Sequence, residues 1–226
     1  MRYILSAFFS LCFSTAATSA QAQVIYELFT SQGCSSCPPA DRIANTLADD
    51  PNILVLSYHV DYWNYLGWQD PYSSKQVTQR QRDYAAAMRS SSVYTPQLVI
   101  NGTHDVVGSN RSEINRLLSD AKPLPVPTTV KKSGKEVIFN LPKSDITDAH
   151  LWLVYYDKRT SNVVPRGENA GNTLIHRNSV AKIEPIGRWD GTAQELSYVA
   201  PVDDHGIALL VQQKGGYGAI IGGAWL

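Results

Sequence analysis

The chain has 226 residues, 43% of them hydrophobic and 18% charged, and its twenty basic and twenty acidic side chains cancel. These proportions exclude a disordered chain and allow a substantial apolar core. Zero formal charge excludes recruitment to nucleic acid or an anionic membrane by net electrostatic attraction, so no nucleic-acid partner is expected.

At the start, Met1-Arg2 brings one positive charge, residues 3–17 are apolar with small hydroxyl residues mixed in, and Ala20-Gln21-Ala22 has the form of a cleavage site. Residues 1–22 read as a signal peptide, with Gln23 the mature N-terminus, a periplasmic or secreted location, and no stable membrane anchor after cleavage. Cys12 falls in the removed segment, and Leu11 before it is not the small residue a lipoprotein site requires. Two cysteines remain, Cys34 and Cys37, separated by two residues in a compartment that permits disulfides. A bridge closing so short a loop is a poor staple for a domain, so the spacing suits chemistry better than scaffolding.

Residues 24–30 form a β-rich run that enters the turn Ser31-Gln32-Gly33. A helix is expected from about Cys34 to near Asp50, with Ile43, Ala44 and Leu47 on one face and Pro38-Pro39 tolerated in its first turn. Residues 52–60 are nearly all apolar, as in a parallel strand covered on both faces. An aromatic-rich ordered loop follows over 61–71, then a helix over 73–89 with Val77, Tyr84, Ala85 and Met88 in a stripe. Pro96 leads a strand ending at the Asn101-Gly102 turn, residues 105–108 return as its hairpin partner, and Ser109 or Asn110 caps a helix carrying Ile114, Leu117 and Leu118. The expected order over residues 23–122 is β-α-β-α-β-β-α. Three prolines in residues 123–127 mark an extended connector. Residues 128–226 read as a mainly antiparallel β module: a hairpin over 130–141 around Ser133-Gly134, then strands at 151–156, 207–212 and 218–221. The Gly215-Gly216-Tyr217-Gly218 stretch lacks the lysine and helix of a phosphate loop and reads as a glycine-rich hairpin.

The chemistry centres on Cys34-Ser35-Ser36-Cys37. A cysteine where a helix begins is favoured as thiolate, which makes Cys34 the nucleophile, and Cys37 one turn further on the resolving thiol. Thr95-Pro96, a proline at the head of a strand, is what a thioredoxin-type site places beside its cysteines in the cis form, so Pro96 is grouped with the catalytic residues and Thr95 with the partner-binding ones. Glu27 points either behind the cysteines, where it could exchange a proton with Cys37, or toward solvent. Asp41 complements the first turns of the helix or caps the cysteine loop. His59, Tyr62, Trp63 and Trp68 form either a substrate-binding wall at the mouth of the site or ordinary packing. His104, His150, His176 and His205 are scattered. No metal ligand set or cofactor is assigned. A competing reading joins Cys34, Cys37 and His59 in a copper(I) or zinc site.

The stretch Phe29-Thr30-Ser31-Gln32-Gly33-Cys34-Ser35-Ser36-Cys37-Pro38-Pro39-Ala40-Asp41 resembles the bacterial family of secreted thioredoxin-like proteins called domain of unknown function 1223. The same family is resembled by His59-Val60-Asp61-Tyr62-Trp63-Asn64 with Gly67-Trp68, by Tyr94-Thr95-Pro96-Gln97 with Asn101-Gly102, and by Gly167-Glu168-Asn169-Ala170-Gly171. The resemblance implies an α/β thioredoxin-like domain with a C-terminal β extension and strengthens the placement of Cys34, Cys37 and Pro96. It supplies no substrate, and Ser35-Ser36 replaces the Gly-Pro common between thioredoxin cysteines. The leading expectation is a thiol–disulfide oxidoreductase or redox carrier acting on protein or small-molecule thiols and disulfides. A third reading makes the fold a scaffold, with residues 167–171 and 217–225 as an interaction surface.

Overall fold

Two strands buried at every position, β1 (Val24–Thr30) and β2 (Ile53–His59), form the centre of the computed structural model, which describes residues 23–146, 148–202 and 204–226. The expected leader, residues 1–22 with Cys12, lies outside the described residues. β1 and β2 are parallel, in register from Val24↔Ile53 to Thr30↔His59, and α1 (Pro38–Leu47) connects them. The chain continues through α2 (Lys75–Met88), β3 (Gln97–Ile100), β4 (His104–Val107) and α3 (Arg111–Asp120), in the order expected. β3 lies antiparallel on the free edge of β1, and β4 outside it. Ser74 caps α2 by accepting from the Val77 N–H, and Asn110 caps α3 by accepting from Glu113, each satisfying a donor the helix cannot.

Alternate β1 and β2 residues serve opposite layers. Ile25, Phe29, Leu54, Leu56 and Tyr58 pack with Val77 and Tyr84 of α2, whereas Tyr26, Leu28 and Val55 pack with Ala40 and Ala44 of α1 and Ile114 of α3.

α1 begins later than expected. Its first residues are Pro38 and Pro39, with Cys37 as N-cap, because proline fits the first turn, where an N–H has no intrahelical acceptor. Cys34 therefore lies in a preceding turn, closed by Cys34 N–H to Ser31 O (3.1 Å) and Cys37 N–H to Cys34 O (3.2 Å). The helix also stops at Leu47, short of Asp50.

Residues 128–226 contain β5 (Thr129–Ser133), β6 (Glu136–Leu141), β7 (Ala149–Val163), β8 (Thr173–Trp189), β9 (Gln194–Val199), β10 (His205–Gln212) and β11 (Ile220–Trp225). β5, β6 and β9 make a small antiparallel sheet. The other four extend the first sheet into a mixed one of eight strands, ordered β11-β10-β7-β8-β2-β1-β3-β4. The junction is β8 beside β2, parallel through Ser57↔Ser179. Residues 123–127 run along β11, with Val126 buried and its N–H donated to Ile221 O (2.8 Å). A second core, including Phe139, Leu153, Trp189 and Leu209, fills the space between the sheets.

β8 and β9 have no counterpart in the sequence reading, and β7 is longer than residues 151–156. β8 carries Pro185, Gly187 and several charges, and bulges at Leu151/Trp152 and Tyr155/Tyr156 shift its pairing with β7, so period-two alternation is lost. The glycine-rich stretch is a hairpin turn between β10 and β11, with a short 3₁₀ segment at Lys214–Gly216. Among the described residues no helix is long and apolar enough to cross a membrane.

Candidate functional site

Cys34 and Cys37 form a disulfide with their Cα atoms 5.4 Å apart, in the turn between the C-terminal end of β1 and the start of α1. Gly33 makes the approach possible: a Cβ there would stand 3.0 Å from Trp63 Cβ. Beside the turn is the start of β3, where the Thr95–Pro96 peptide is cis. Ser36 Oγ donates to Thr95 O (3.4 Å) and lies 3.4 Å from Cys34 Sγ. Both cysteines are buried, Cys34 being 1% exposed, although Ser35 and Ser36 face solvent.

Behind the turn is a buried polar cluster on the α1 face. His59 ends β2 with Nδ1 2.7 Å from Asp70 Oδ2. The same carboxylate oxygen accepts the Gln32 N–H (2.8 Å), and Oδ1 accepts that of Tyr72 (3.0 Å). Burial alone would lower the His59 pKa, but the Asp70 charge and hydrogen bond, aided by Asp41, outweigh it and raise the value above 6.5. Burial pushes Asp70 up, and His59 with the Gln32 and Tyr72 N–H groups brings it below its ordinary 3.8. The His176 ring stands edge-on to His59 with centroids 4.5 Å apart. Its Nδ1 is 3.7 Å from Asp41 Oδ1, which accepts the Thr30 hydroxyl (2.7 Å). Among the described residues, His59 Nε2, His176 Nδ1 and Asp41 Oδ2 have no hydrogen-bond partner.

Gln32 ties this cluster to the C-terminal region. Its side chain exchanges two hydrogen bonds with Asn162 (2.7 and 2.9 Å) and accepts from Trp68 Nε1 (3.1 Å). Asn169 Nδ2 donates to the backbone oxygens of Gln32 and Cys34, 2.9 Å each. Glu168 Oε2 accepts the Ser35 N–H (2.9 Å), and the Ser35 hydroxyl and N–H hold its carboxyl below the usual 4.5.

The family model for proteins of unknown function DUF1223 matches residues 25–212. The chain belongs to this family. Among solved structures it is similar to protein AGR_C_4864 from Agrobacterium tumefaciens, a structural-genomics crystal structure, at 31% identity and a TM-score of 0.78, covering 91% of this chain and 94% of that one. HBP35 of Porphyromonas gingivalis shares the fold at 14% identity and a TM-score of 0.61, covering 92% of this chain and 76% of that one. No curated protein matches the chain significantly.

The four stretches that carry the DUF1223 resemblance converge on the disulfide. Trp63 Nε1 donates to Thr95 Oγ1 (2.8 Å), Trp68 to Gln32, and Asn169 to Cys34. Asn101-Gly102 stands apart: Asn101 Oδ1 accepts the Ile25 N–H (2.7 Å), and a Cβ on Gly102 would meet Gly218 O at 2.2 Å, so this turn pins the β10–β11 hairpin to β1. Of the expected aromatic wall, Trp63 and Trp68 border the cysteine turn, half-buried, while Tyr62 bonds Gln81 of α2 (3.2 Å).

Two assignments change. His59 is fully buried, so it stands behind the site and is not a substrate contact at its mouth. Glu27 does point inward, but with Ile25 and Phe29 toward α2. Its Oε1 accepts Arg80 Nε (2.9 Å) and Nη2 (2.8 Å), and its Oε2 accepts Tyr84 OH. The carboxylate is committed there, on the face opposite α1, and is not a proton relay for Cys37. The carboxylate on the cysteine side is Asp41, four residues beyond Cys37 on α1, a spacing that puts both on one helix face.

His59 Nδ1 is also taken by Asp70, and among the described residues no group of three His, Cys, Asp or Glu side chains could hold a metal ion. Sequence reasoning missed Asp70, Gln32, His176 and Arg80. Glu168 and Asn169 were visible only as a motif, without a role. Along α1 runs an open groove of about 530 Å³, lined in part by Pro38, Asp41, Arg42, Arg159, Ile175 and Arg177.

Proposed function

We propose that this protein is a thioredoxin-like thiol–disulfide oxidoreductase or redox carrier that works in the periplasm or outside the cell. The observation that carries the reading is the Cys34–Cys37 disulfide in the turn between a central parallel strand and its crossover helix, beside the Thr95–Pro96 peptide that leads into β3. The thioredoxin-like part is supported by the arrangement of β1 and β2 parallel, β3 and β4 antiparallel, with α1 and α3 on one face and α2 on the other. A shared fold alone does not fix chemistry. The two cysteines in that turn supply it.

In the reduced form the Cys34 thiolate attacks a partner disulfide. One S–S bond breaks, a mixed disulfide forms, and the displaced partner sulfur leaves with the electron pair. The Cys37 thiolate then attacks Cys34 Sγ, the mixed disulfide breaks, and the second partner sulfur leaves as thiolate. Two electrons reach the partner and the Cys34–Cys37 bond remains. The reverse sequence oxidises a partner dithiol. The groove beside Pro38 has room for a polypeptide segment, so protein thiols and disulfides, with small thiols as alternatives, are the proposed partners.

The test is a titration of the chain beginning at Gln23 against glutathione redox buffers, with thiol labelling, with and without copper and zinc. A reversible two-electron transition independent of metal is expected. A pair that stays reduced with tightly bound metal, or that cannot be cycled, overturns the reading.

A further inference from the structure

A cysteine that exchanges disulfides must let another sulfur approach in line with its own S–S bond, yet Cys34 is 1% exposed. Ser35 and Ser36 beside it are open to solvent, so the burial is local to the sulfur-bearing positions. The segment pressed against this turn comes from the far end of the chain: residues 164–172, joining β7 to β8. It is a preformed loop, closed by Gly171 N–H to Val164 O (2.8 Å) and Asn172 N–H to Asn169 O (3.1 Å). Gly167 packs against Trp68, a Cβ there standing 3.5 Å from that of the tryptophan. Asn169 is 4% exposed, and its Nδ2 donates to the cysteine turn at both Gln32 O and Cys34 O. Glu168 is exposed and caps the N–H of Ser35, the residue immediately after the nucleophile.

We propose, resting on the redox reading above, that Glu168 and Asn169 are positioning residues of the dithiol site: they hold the 164–172 loop over Cys34, and exchange at its sulfur follows release of that loop. Asn169 sets how often the sulfur is reachable. Glu168 sets the charge that a Cys34 thiolate meets, because it places a carboxylate on a backbone N–H that would otherwise favour the anion. The Gly167-Glu168-Asn169-Ala170-Gly171 stretch thereby acquires a role in selecting partners: those able to displace the loop react, and small thiols wait for it to open.

The experiment uses the oxidised chain beginning at Gln23 and its Asn169→Asp and Glu168→Gln variants. Dithiothreitol attacks Cys34 Sγ, Cys37 leaves as thiolate, and the reagent's second sulfur closes its own disulfide and frees Cys34. Quenched thiol labelling gives the rate. Asn169→Asp keeps the shape but lacks both donors, so the rate should rise roughly tenfold or more, as the open fraction grows when about two hydrogen bonds are lost. Glu168→Gln should lower the pH at which reduced Cys34 is half-alkylated by iodoacetamide, a shift that a merely structural residue would not produce. Circular dichroism establishes that each variant is folded, and the exposed Glu168 supplies the test should Asn169→Asp not fold. Rates within twofold of the parent, together with an unmoved alkylation profile, overturn this proposal while leaving the redox reading intact. A parent disulfide that dithiothreitol cannot reduce and glutathione disulfide cannot restore overturns the redox reading itself.

Discussion

The central sheet carries a buried polar cluster on each face, and the two are built differently. On the α2 face, Arg80 holds Glu27 through two nitrogens, bonds Gln212 Oε1 (3.1 Å), and lies over the rings of Tyr84 (4.9 Å) and Trp152 (5.2 Å). The Arg80 charge is permanent at any ordinary pH: burial alone would lower its pKa, but Glu27, with Tyr84 and Tyr58, outweighs burial and raises it. On the α1 face, the cluster is made of histidines and carboxylates and reaches the cysteine turn through Gln32; among the described residues both faces hold buried atoms without partners, His59 Nε2 and Asp41 Oδ2 on this one, Arg80 Nη1 and Tyr58 OH on the other. One cluster locks α2 and β10 to β1. The other sets His59 and Asp70, whose shifts depend on each other, behind the Cys34–Cys37 turn. Burial alone therefore does not mark a polar group as functional, since both clusters are buried and only one adjoins the cysteine turn.

The sharpest way to break this contrast is Glu27→Gln. It leaves the Arg80 guanidinium buried without its counter-charge and should cost about 3–5 kcal/mol in denaturant unfolding, while the pH dependence of the cysteine pair's potential stays as in the parent. A potential that moves as much as stability does would erase the distinction.

Asp70→Asn tests the opposite face and should cost roughly 1.5–3 kcal/mol, the worth of hydrogen bonds to a charged group. Its sign with pH follows from the two shifts. The His59 pKa is raised on folding, so its contribution is complete below about 6.5 and fades as pH rises through the folded value. That of Asp70 is lowered, so its contribution is present above about 3.8 and fades as pH falls through the folded value. The parent should show a stability plateau between these limits in urea titrations, and Asp70→Asn should remove the decline above pH 6.5. Thr30→Val, which deprives Asp41 of its donor, should cost about 1–2 kcal/mol in denaturant unfolding. Arg116→Ala, on exposed ion pairs of α3 with Glu113 and Asp120, should change neither property detectably.

Much of the first half was legible because its punctuation is local. The Asn110 cap and the Asn101-Gly102 turn each announce a boundary through the conformation they require, whereas the sequence reading places Pro38-Pro39 within a helix begun at Cys34 and does not single out the Ser74 cap. The facing of β1 was not legible. All seven of its residues are buried, so no polar–apolar alternation shows which side Glu27 takes. His176 was unreadable for a related reason: its place beside His59 depends on β8, whose bulged pairing with β7 and parallel contact with β2 leave no periodic trace. The Cys34–Cys37 pair was visible in the sequence, while its surroundings depend on contacts such as Ser35–Glu168, 133 residues apart.

That separation orders events during biosynthesis. A chain made from its N-terminus presents Cys34 and Cys37 well before residues 164–172 exist, by on the order of ten seconds at ordinary elongation rates. Throughout that interval the Glu168 and Asn169 contacts to the cysteine turn cannot exist, so the thiols precede the segment that packs on them. On the loop-release proposal, the nascent chain and the finished protein thus differ in what can reach the same two sulfurs: any reagent early, and only one that opens the loop afterwards.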